Sequence, residues 1–315
     1  MKALVTGGAG FIGSHIVDSL LAKGKPVLVI DNLTSGSLEN LSQCQDNNLF
    51  EFIEADLLDK ENLIDVVKGC DEIYHLAANP EVNAKKATPE KHFKQNIEAT
   101  YNLLEAMRVC GEQKFIAFAS TSTVYGEAEQ LPTREDYGPL VPISLYGASK
   151  LACEGLLSAY ASMYGFKAAI FRLANVVGPR SNHGVIYDFV QKLRANPDFL
   201  EVLGDGSQSK SYLYIDDCVS GFMYGIKSDE TVAIYNIGSE DRTNVLAIAE
   251  TVKHEMELSS AEIRLTGGVD GGRGWKGDVK IMQLDMNRLK GAGWFPKYGS
   301  AEAVRLTARS VIAMA

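Results

Sequence analysis

The sequence predicts an α/β fold in which helices cover both faces of a parallel sheet. Two observations predict it. Short apolar runs, typical of buried strands, alternate along the first half of the chain with segments whose apolar residues recur at helical spacing. The first run, Ala3 to Val5, leads through a glycine-rich turn at residues 6–13 into a helical pattern. This order is typical of a Rossmann-type doubly wound parallel sheet.

The same alternation predicts the following elements in order. Strands are expected at residues 27–30, 50–53, 72–76, 115–119 and 168–171. Helices are expected around residues 63–67, at residues 90–110, and from Tyr146 to about residue 164. Three prolines in the loop before Tyr146, at positions 132, 139 and 142, prevent that loop from being helical. The Tyr146 helix is therefore expected to start afresh.

Beyond Gly178 the pattern is less regular, which predicts a smaller C-terminal α/β substrate lobe. A short strand is expected at residues 199–203, a helix at 216–226, a strand at 233–236 and a last helix at 300–314. We predict that residues 1–177 plus about 213–240 form the dinucleotide-binding domain, and that residues 178–212 plus about 241–315 form the lobe. A chain of 315 residues exceeds what one compact core usually holds, which agrees with this division.

Composition limits the classes of function. The net charge of −9 argues against a nucleic-acid-binding surface. Five cysteines without a CxxC pair favour a reducing compartment over disulfides or zinc. No apolar run approaches the roughly 20 residues that span a bilayer, and no signal peptide precedes the first strand. His15, His92, His183 and His254 lack mutual ligand spacing. We therefore expect a cytoplasmic protein without metal, nucleic-acid partner or membrane contact.

The glycine-rich turn predicts a binding site for a dinucleotide. Gly7 allows a tight turn, Gly10 lets the backbone approach a pyrophosphate, and Gly13 allows close packing of helix on strand. Asp31 follows the second strand, where a carboxylate accepts hydrogen bonds from the adenosine ribose hydroxyls and repels a 2′-phosphate. The pattern thus favours NAD over NADP. The alternatives are a plain strand-to-helix loop and a turn aspartate.

Tyr146 and Lys150 predict an acid/base site. Residues four apart lie on one face of a helix, so the Lys150 ammonium is expected near the Tyr146 phenol, where it would lower the phenol pKa. Taken alone, this spacing is a weak signal, and an accidental pair on a surface helix would be the better interpretation. The hydroxyl-rich run at residues 120–126 follows a predicted strand, and ligands bind at the carboxyl ends of strands in open α/β sheets.

These motifs together resemble a known family. The sequences TGGAGFIG at residues 6–13, HLAA at 75–78, YGASK at 146–150 and GDG at 204–206 stand in the order found in extended short-chain dehydrogenases/reductases. Within that family the chain resembles the nucleotide-sugar epimerases of the UDP-glucose 4-epimerase type, over essentially its whole length. The resemblance implies bound NAD, a UDP-hexose substrate and a homodimer formed through the helices at 90–110 and 146–164.

The resemblance also implies roles for single residues. Tyr146 would be the acid/base, Lys150 would tune it and bind the nicotinamide ribose, and Thr121 would orient the sugar hydroxyl. The implied cofactor contacts are Gly7, Gly10, Phe11, Ile12, Gly13, Asp31, Asn32, Ser35, Gly36, Asp56, Leu57, Leu76, Ala77, Ala78, Asn96, Tyr146 and Lys150. The implied substrate contacts are Thr121, Asn175, Val185, Leu203, Lys210, Arg273 and Asp278.

Departures from the family pattern narrow the reaction. Related 4,6-dehydratases carry an Asp-Glu pair where this chain has Ser122 and Thr123, and related decarboxylases carry a glutamate at the position of Thr123. Because a hydroxyl cannot replace a carboxylate as a base near neutral pH, inversion at C4 through a 4-keto intermediate is expected. Lys210 and Trp275 stand where similar epimerases have arginines. The alternatives are a 4-keto-reductase or dehydrogenase that turns NAD over, and a non-catalytic NAD-binding protein.

Overall fold

Seven strands pair in parallel to form the central sheet of the computed structural model, which describes residues 1–82, 88–111 and 114–314. The strands of the central sheet and of the smaller sheets are, in chain order, β1 (Ala3–Thr6), β2 (Val27–Asp31), β3 (Phe50–Glu54), β4 (Glu72–His75), β5 (Phe115–Thr121), β6 (Lys167–Leu173), β7 (Asn175–Val177), β8 (Phe199–Val202), β9 (Ser209–Lys210), β10 (Tyr212–Tyr214), β11 (Val232–Ile237), β12 (Thr243–Asn244), β13 (Glu262–Leu265) and β14 (Ile281–Met282). The order in the central sheet is β11-β6-β5-β4-β1-β2-β3. The predicted Rossmann-type fold is confirmed.

The helices alternate with these strands. They are α1 (Phe11–Ala22), α2 (Leu63–Val67), α3 (Pro89–His92), α4 (Ala99–Cys110), α5 (Leu145–Tyr164), α6 (Val185–Ala195), α7 (Ile215–Gly225), α8 (Val245–Glu255), α9 (Asn287–Gly291) and α10 (Ser300–Ala313). Two short 3-10 helices span Leu38–Cys44 and Ser122–Tyr125. Most predicted elements agree with these bounds to within a few residues.

The sheet divides the large domain's core into two layers, because successive side chains of a strand point to opposite faces. Val5 packs with Ile16 and Leu20 of α1 on one face. Leu4 packs with Leu103 of α4 on the other. Both faces are covered, and the strands therefore read in the sequence as continuous apolar runs.

The order in which strands are added to the sheet reverses at β1, which lies between β2 and β4. From β1 the chain builds outward to β3, and then crosses back to start β4 on the other side. In open α/β sheets this reversal leaves a crevice at the carboxyl ends of the strands, and ligands bind there. The fold thus places Gly7 and Ala77, which follow β1 and β4, at the mouth of that crevice.

A third apolar cluster lies in the C-terminal part of the chain. It joins α6, β8, α8 and α10 through residues such as Val190, Leu200, Ile248 and Val304. Parallel pairing of β13 with β8 and the small sheet β12-β9-β14 complete this region. These elements fall within the predicted lobe, while the domain limits themselves stay a prediction.

The predicted single helix at residues 90–110 is wrong in its first turns. The segment begins with α3, passes through a π-helical turn at Phe93–Glu98, and only then continues as α4. A π turn inserts an extra residue and is often found beside functional sites. Asn96, in this turn, is buried and hydrogen-bonded to Asn79 and Ser149.

Candidate active site

A cleft of about 1280 Å³ runs along the carboxyl ends of the central strands and between the sheet and the lobe. It brings together most of the residues that the sequence predicts for the site. Those lining it are Gly7, Gly10, Phe11, Ile12, Gly13, Asp31, Asn32, Ser35, Gly36, Asp56, Leu57, Leu76, Ala77, Ala78, Thr121, Tyr146, Lys150, Asn175, Val185, Leu203, Lys210 and Asp278. Asn96 and Arg273 do not line it.

The glycine turn after β1 is too tight for side chains. A Cβ on Gly13 would lie 2.1 Å from the carbonyl oxygen of Gly7, and a Cβ on Gly7, at φ +70°, would lie 2.6 Å from the amide nitrogen of Ala77. The glycine turn that leads into α1 therefore presents backbone without side chains at Gly7, Gly10 and Gly13 to the cleft. Unpaired N–H groups at a helix N-terminus attract a phosphate anion. This cradle fits the pyrophosphate of a dinucleotide.

Asp31 lies at the end of β2 with its carboxylate held by the backbone. Its Oδ2 accepts a hydrogen bond from the Ala9 amide at 3.0 Å, and its Oδ1 accepts one from the Leu33 amide at 2.9 Å. Burial raises the pKa of Asp31, and these two hydrogen bonds oppose that shift. Nearby, Asn32 Nδ2 donates to Asp56 Oδ2 at 2.8 Å. A carboxylate here suits a ribose with two free hydroxyls and disfavours a 2′-phosphate, so the site fits NAD.

The N-terminus of α5 places Tyr146 and Lys150 in the cleft. Ser144 caps the helix by accepting a hydrogen bond from the Gly147 amide at 3.0 Å. The Tyr146 side chain lies beside Thr121, at the end of β5, and both line the cleft. Lys150 is 2% exposed, and its Nζ donates to the Ala119 carbonyl at 2.8 Å. The sequence-predicted trio therefore meets where β5 ends.

The prediction that Lys150 lowers the pKa of Tyr146 is wrong for the protein without a bound ligand. Burial raises the pKa of Tyr146, and the hydrogen bond with Thr121 offsets only part of that shift. The ammonium of Lys150 is instead held by Ala119 and lies 4.5 Å from the centre of the Phe118 ring. Burial also lowers the pKa of Lys150 itself, to about 8. A helical spacing fixes a shared face but not the direction of a long side chain.

Hydroxyl groups follow one another along the end of β5 on the cleft side, at residues 120–123. Thr121 caps the short 3-10 helix by accepting a hydrogen bond from the Thr123 amide at 3.2 Å. The two threonine hydroxyls lie 3.1 Å apart. Ser122 and Thr123 both line the cleft. The nearest acid on α5, Glu154, is buried against Ser120 and Arg172.

At the lobe end of the cleft, Lys210 and Asp278 form an ion pair with 2.5 Å between Nζ and Oδ1. The Lys210 ammonium also lies 5.7 Å from the centre of the Trp275 ring. Leu203 lines the same end. This is where a cation and an acid could meet the phosphates and ribose of a nucleotide.

Two predicted contacts lie behind the cleft wall. Arg273 is held by Glu127, to which its Nη2 donates, and by the carbonyl of Asp278, 3.1 Å from its Nε. Asn96 is 1% exposed, accepts a hydrogen bond from the Asn79 amide at 2.7 Å, and donates to Ser149 at 2.8 Å. Both residues position the backbone of the cleft rather than facing it. Their predicted direct contacts with ligands are therefore not supported.

Sequence reasoning missed other residues of the cleft wall. Arg180 lines the cleft in a left-handed conformation, at φ 66°, and forms an ion pair with Asp18 at 2.8 Å. Trp275 and Glu81 also line it. Two of them had a sequence signal, because Arg180 ends the run Gly178-Pro179-Arg180 that follows β7, and Trp275 stands where similar epimerases have an arginine.

Two searches gave no candidates within the part of the chain that the structure describes. No group of three or more His, Cys, Asp or Glu side chains could hold a metal ion. No helix there has both the length and the apolar character to cross a bilayer.

Comparison with known proteins gives consistent matches. The model of the NAD dependent epimerase/dehydratase family matches residues 3–238. The UDP-glucose 4-epimerase of Mycolicibacterium smegmatis is 34% identical over 318 residues, covering 98% of this chain and 97% of the relative. UDP-glucuronic acid decarboxylase 6 of Arabidopsis thaliana is 35% identical over 316 residues, covering 97% of this chain and 87% of the relative. Overall identity thus does not separate the two reactions.

Solved structures agree. A UDP-galactose 4-epimerase is 43% identical and superposes with a TM-score of 0.88, covering 100% of this chain and 99% of the other. The UDP-glucose 4-epimerase of Thermus thermophilus, solved as a complex with NAD, is 34% identical with a TM-score of 0.85 and covers 99% of each chain.

Proposed function

The chain belongs to the NAD-dependent epimerase/dehydratase family, and from this membership we propose that it inverts C4 of a nucleotide-sugar, with UDP-glucose and UDP-galactose as the pair. The observation that carries the proposal is the set of groups at the end of β5. Tyr146 and Thr121 lie side by side in the cleft, while positions 122 and 123 carry hydroxyls. This set can move one proton and offers no second base.

In the proposed reaction Tyr146 acts as a phenolate and removes the proton of the sugar C4 hydroxyl. It returns this proton after the 4-keto sugar has rotated in the cleft. Thr121 orients the same hydroxyl through the phenol of Tyr146, and Lys150 holds the strand end at Ala119 and the nicotinamide ribose. Bound NAD would take the hydride from the sugar C4 and give it back to the other face of the 4-keto sugar, and its oxidised form would add a positive charge to the cleft. Proton transfer by a positioned side chain contributes typically 10² to 10⁴ in rate.

The choice against the relatives' other reactions rests on Ser122 and Thr123. Decarboxylation and dehydration both need a further acid or base beside the sugar, and a serine or threonine hydroxyl does not ionise near neutral pH. Glu154 could not serve, because it is 4% exposed and paired with Arg172. A dehydrogenase that releases NADH remains the second candidate, since oxidation at C4 is its first half-reaction.

The nucleotide would occupy the lobe end of the cleft. We assign the phosphates to Lys210 and the ribose to Asp278, with Asn175, Val185 and Leu203 beside the hexose and base. These assignments are supported by the fact that all five residues line the cleft.

We also propose that the protein is a cytoplasmic homodimer. Helices α4 and α5 carry large exposed apolar side chains, Tyr101 and Val109 on α4 and Met163 on α5, that a second copy would cover. Size-exclusion chromatography with light scattering would test this, and a monomer at micromolar concentration would refute it.

The test of the function is an assay of purified protein with UDP-galactose and with UDP-glucose, followed by separation of the two sugars. We expect both directions to reach one equilibrium mixture without added NAD(H). UDP-glucuronate and UDP-N-acetylglucosamine, assayed alongside, would identify a different sugar. Release of NADH in proportion to substrate would favour the dehydrogenase.

The matched variants are Tyr146→Phe and Tyr164→Phe. Both tyrosines lie on α5, but Tyr164 is 45% exposed at the far end of the helix. We expect Tyr146→Phe to lower kcat by about 10³ and Tyr164→Phe to leave it unchanged. Full activity of Tyr146→Phe would exclude the mechanism.

A further inference from the structure

We propose that Thr123 is a positioning residue for the acid/base step, because its hydroxyl lets Thr121 reverse its hydrogen bond each time Tyr146 changes protonation state. The inference rests on the proposed function, in which Tyr146 gains and loses one proton per cycle. It concerns a residue that does not touch the reacting atoms and acts through Thr121.

The geometry places three hydroxyls in a row. The Tyr146 phenol lies close enough to the Thr121 hydroxyl to lower its own pKa, and Thr121 Oγ1 lies 3.1 Å from Oγ1 of Thr123. The backbone keeps this arrangement in place, since the Thr123 amide donates to Thr121 Oγ1 at 3.2 Å. Thr121 is 8% exposed, so water has little access to its hydroxyl. The order of the chain is therefore Tyr146, Thr121, Thr123.

Helix α5 packs directly on the Thr123 backbone. A Cβ on Gly147 would lie only 2.7 Å from the carbonyl oxygen of Thr123, so a residue with a side chain would not fit there. Because Gly147 follows Tyr146, this close approach fixes the height of the phenol relative to both threonines. Movement of one element would disturb all three hydroxyls together.

The number of protons explains why a second hydroxyl is needed. A threonine hydroxyl has one proton to donate and two lone pairs to accept with. One lone pair of Thr121 is used by the Thr123 amide. Thr121 can then donate to one neighbour and accept from the other, and the direction of this chain depends on Tyr146.

When Tyr146 is a phenolate, Thr123 donates to Thr121 and Thr121 donates to the phenolate oxygen. When Tyr146 has taken the proton of the sugar hydroxyl, it donates to Thr121, and Thr121 donates to Thr123. Only hydroxyl rotations connect the two arrangements, and no proton leaves to solvent.

Chains of hydrogen bonds polarise one another, so a hydroxyl that itself accepts a hydrogen bond is a stronger donor. Thr123 thus stabilises the phenolate through Thr121. This contribution matters here because burial raises the pKa of Tyr146 and so disfavours the phenolate. Removal of the Thr123 hydroxyl should make the phenolate harder to form.

The test compares Thr123→Val, which removes the hydroxyl at nearly constant shape, with Thr123→Ser, which keeps it. Loss of one net hydrogen bond corresponds to about a tenfold effect. We expect Thr123→Val to lower kcat about tenfold, to move the acid limb of the kcat–pH profile upward by about one pH unit, and to leave KM within about twofold. Thr123→Ser should restore both the rate and the profile.

Two results would overturn the inference. One is a Thr123→Val enzyme with the wild-type rate and pH profile. The other is a Thr123→Ser enzyme as impaired as Thr123→Val, which would indicate loss of packing. A wild-type protein that epimerises no nucleotide-sugar refutes the proposed function separately, and the same profiles are then measured on NADH formation, where Tyr146 also accepts a proton.

Discussion

Glu154 Oε2 lies 2.7 Å from Nη2 of Arg172, and the two side chains are 5% and 4% exposed. The pair has neighbours on both sides, because Ser120 donates to Glu154 Oε1 at 2.5 Å and Arg172 Nη1 donates to the Tyr125 hydroxyl at 3.0 Å. Ser120 precedes Thr121 on β5, and Glu154 lies one turn after Lys150 on α5. The buried pair therefore joins α5 to β5 and β6, next to the residues that we propose for catalysis.

Glu154→Gln should destabilise the protein strongly. Removal of one partner leaves the Arg172 charge buried without compensation, which costs about 3–5 kcal/mol. The free energy of unfolding, measured by urea denaturation, is expected to fall by that amount. Asp136→Asn is the control, since its partner Arg134 and Asp136 are 68% and 70% exposed, and it should cost under about 1 kcal/mol. Equal effects of the two variants would contradict a stabilising role for the buried pair.

Asp31→Asn should weaken the binding of NAD and reduce the preference for NAD over NADP. The variant loses the charge that accepts the ribose hydroxyls, and hydrogen bonds to charged groups contribute about 1.5–3 kcal/mol, or roughly 10–100-fold in affinity. Calorimetric titration with both cofactors would measure the change. Asp46→Asn, at an exposed position, serves as the control. An unchanged ratio of the two affinities would remove Asp31 from the cofactor site.

Lys210→Met and Arg273→Met compare how much each of the two cations predicted as substrate contacts contributes to substrate binding. Lys210 lines the cleft, whereas Arg273 does not line it and pairs with Glu127. We therefore expect KM to rise about tenfold for Lys210→Met and to change by less than about twofold for Arg273→Met. Lys210→Arg keeps the charge beside Asp278 and should stay close to wild type. A larger effect of Arg273→Met would restore the contact that the sequence predicts.

Strands and the cofactor edge were predictable because both depend on local pattern. A strand covered on both faces must be apolar along its length, so the run at 27–30 predicts β2 (Val27–Asp31) almost residue for residue. The glycine turn was predictable for a similar reason. Its geometry excludes a Cβ at Gly13, and that exclusion can be read in the residue type.

The paths of long side chains were not predictable. Lys150 donates to the carbonyl of Ala119, and Arg273 pairs with Glu127, partners that lie far away in the chain and are brought close by the fold. The π turn at Phe93–Glu98 was missed because a helix with one extra residue keeps almost the same apolar pattern. Sequence spacing thus predicted which residues share the site, but not which of them face the ligand.

His75 is held neutral by two threonines in the core of the large domain. Thr100 Oγ1 donates to the Asn96 carbonyl at 2.6 Å, so it accepts from Nε2 of His75, which lies 2.9 Å away. Nδ1 then accepts from Thr6 Oγ1, at 2.7 Å. A second proton on the ring would face the Thr6 hydroxyl proton. Burial, aided by the charge of Lys150, accordingly lowers the pKa of His75 to about 3.

Acidification should therefore destabilise the protein through His75. Above the ordinary histidine pKa of 6.5 the ring is neutral in both the folded and unfolded states, and this contribution to stability is complete. Below it the unfolded chain binds a proton that the folded protein does not, so the free energy of unfolding falls as the pH falls toward 3. Between pH 6.5 and 5 the loss from this residue is about 2 kcal/mol. His75→Gln is expected to be less stable than the wild type at pH 7. Its free energy of unfolding, measured by urea denaturation at pH 6.5 and at pH 5, should however fall by about 2 kcal/mol less than that of the wild type. Parallel pH dependences of the two proteins would show that His75 titrates in the folded state as it does in the unfolded chain.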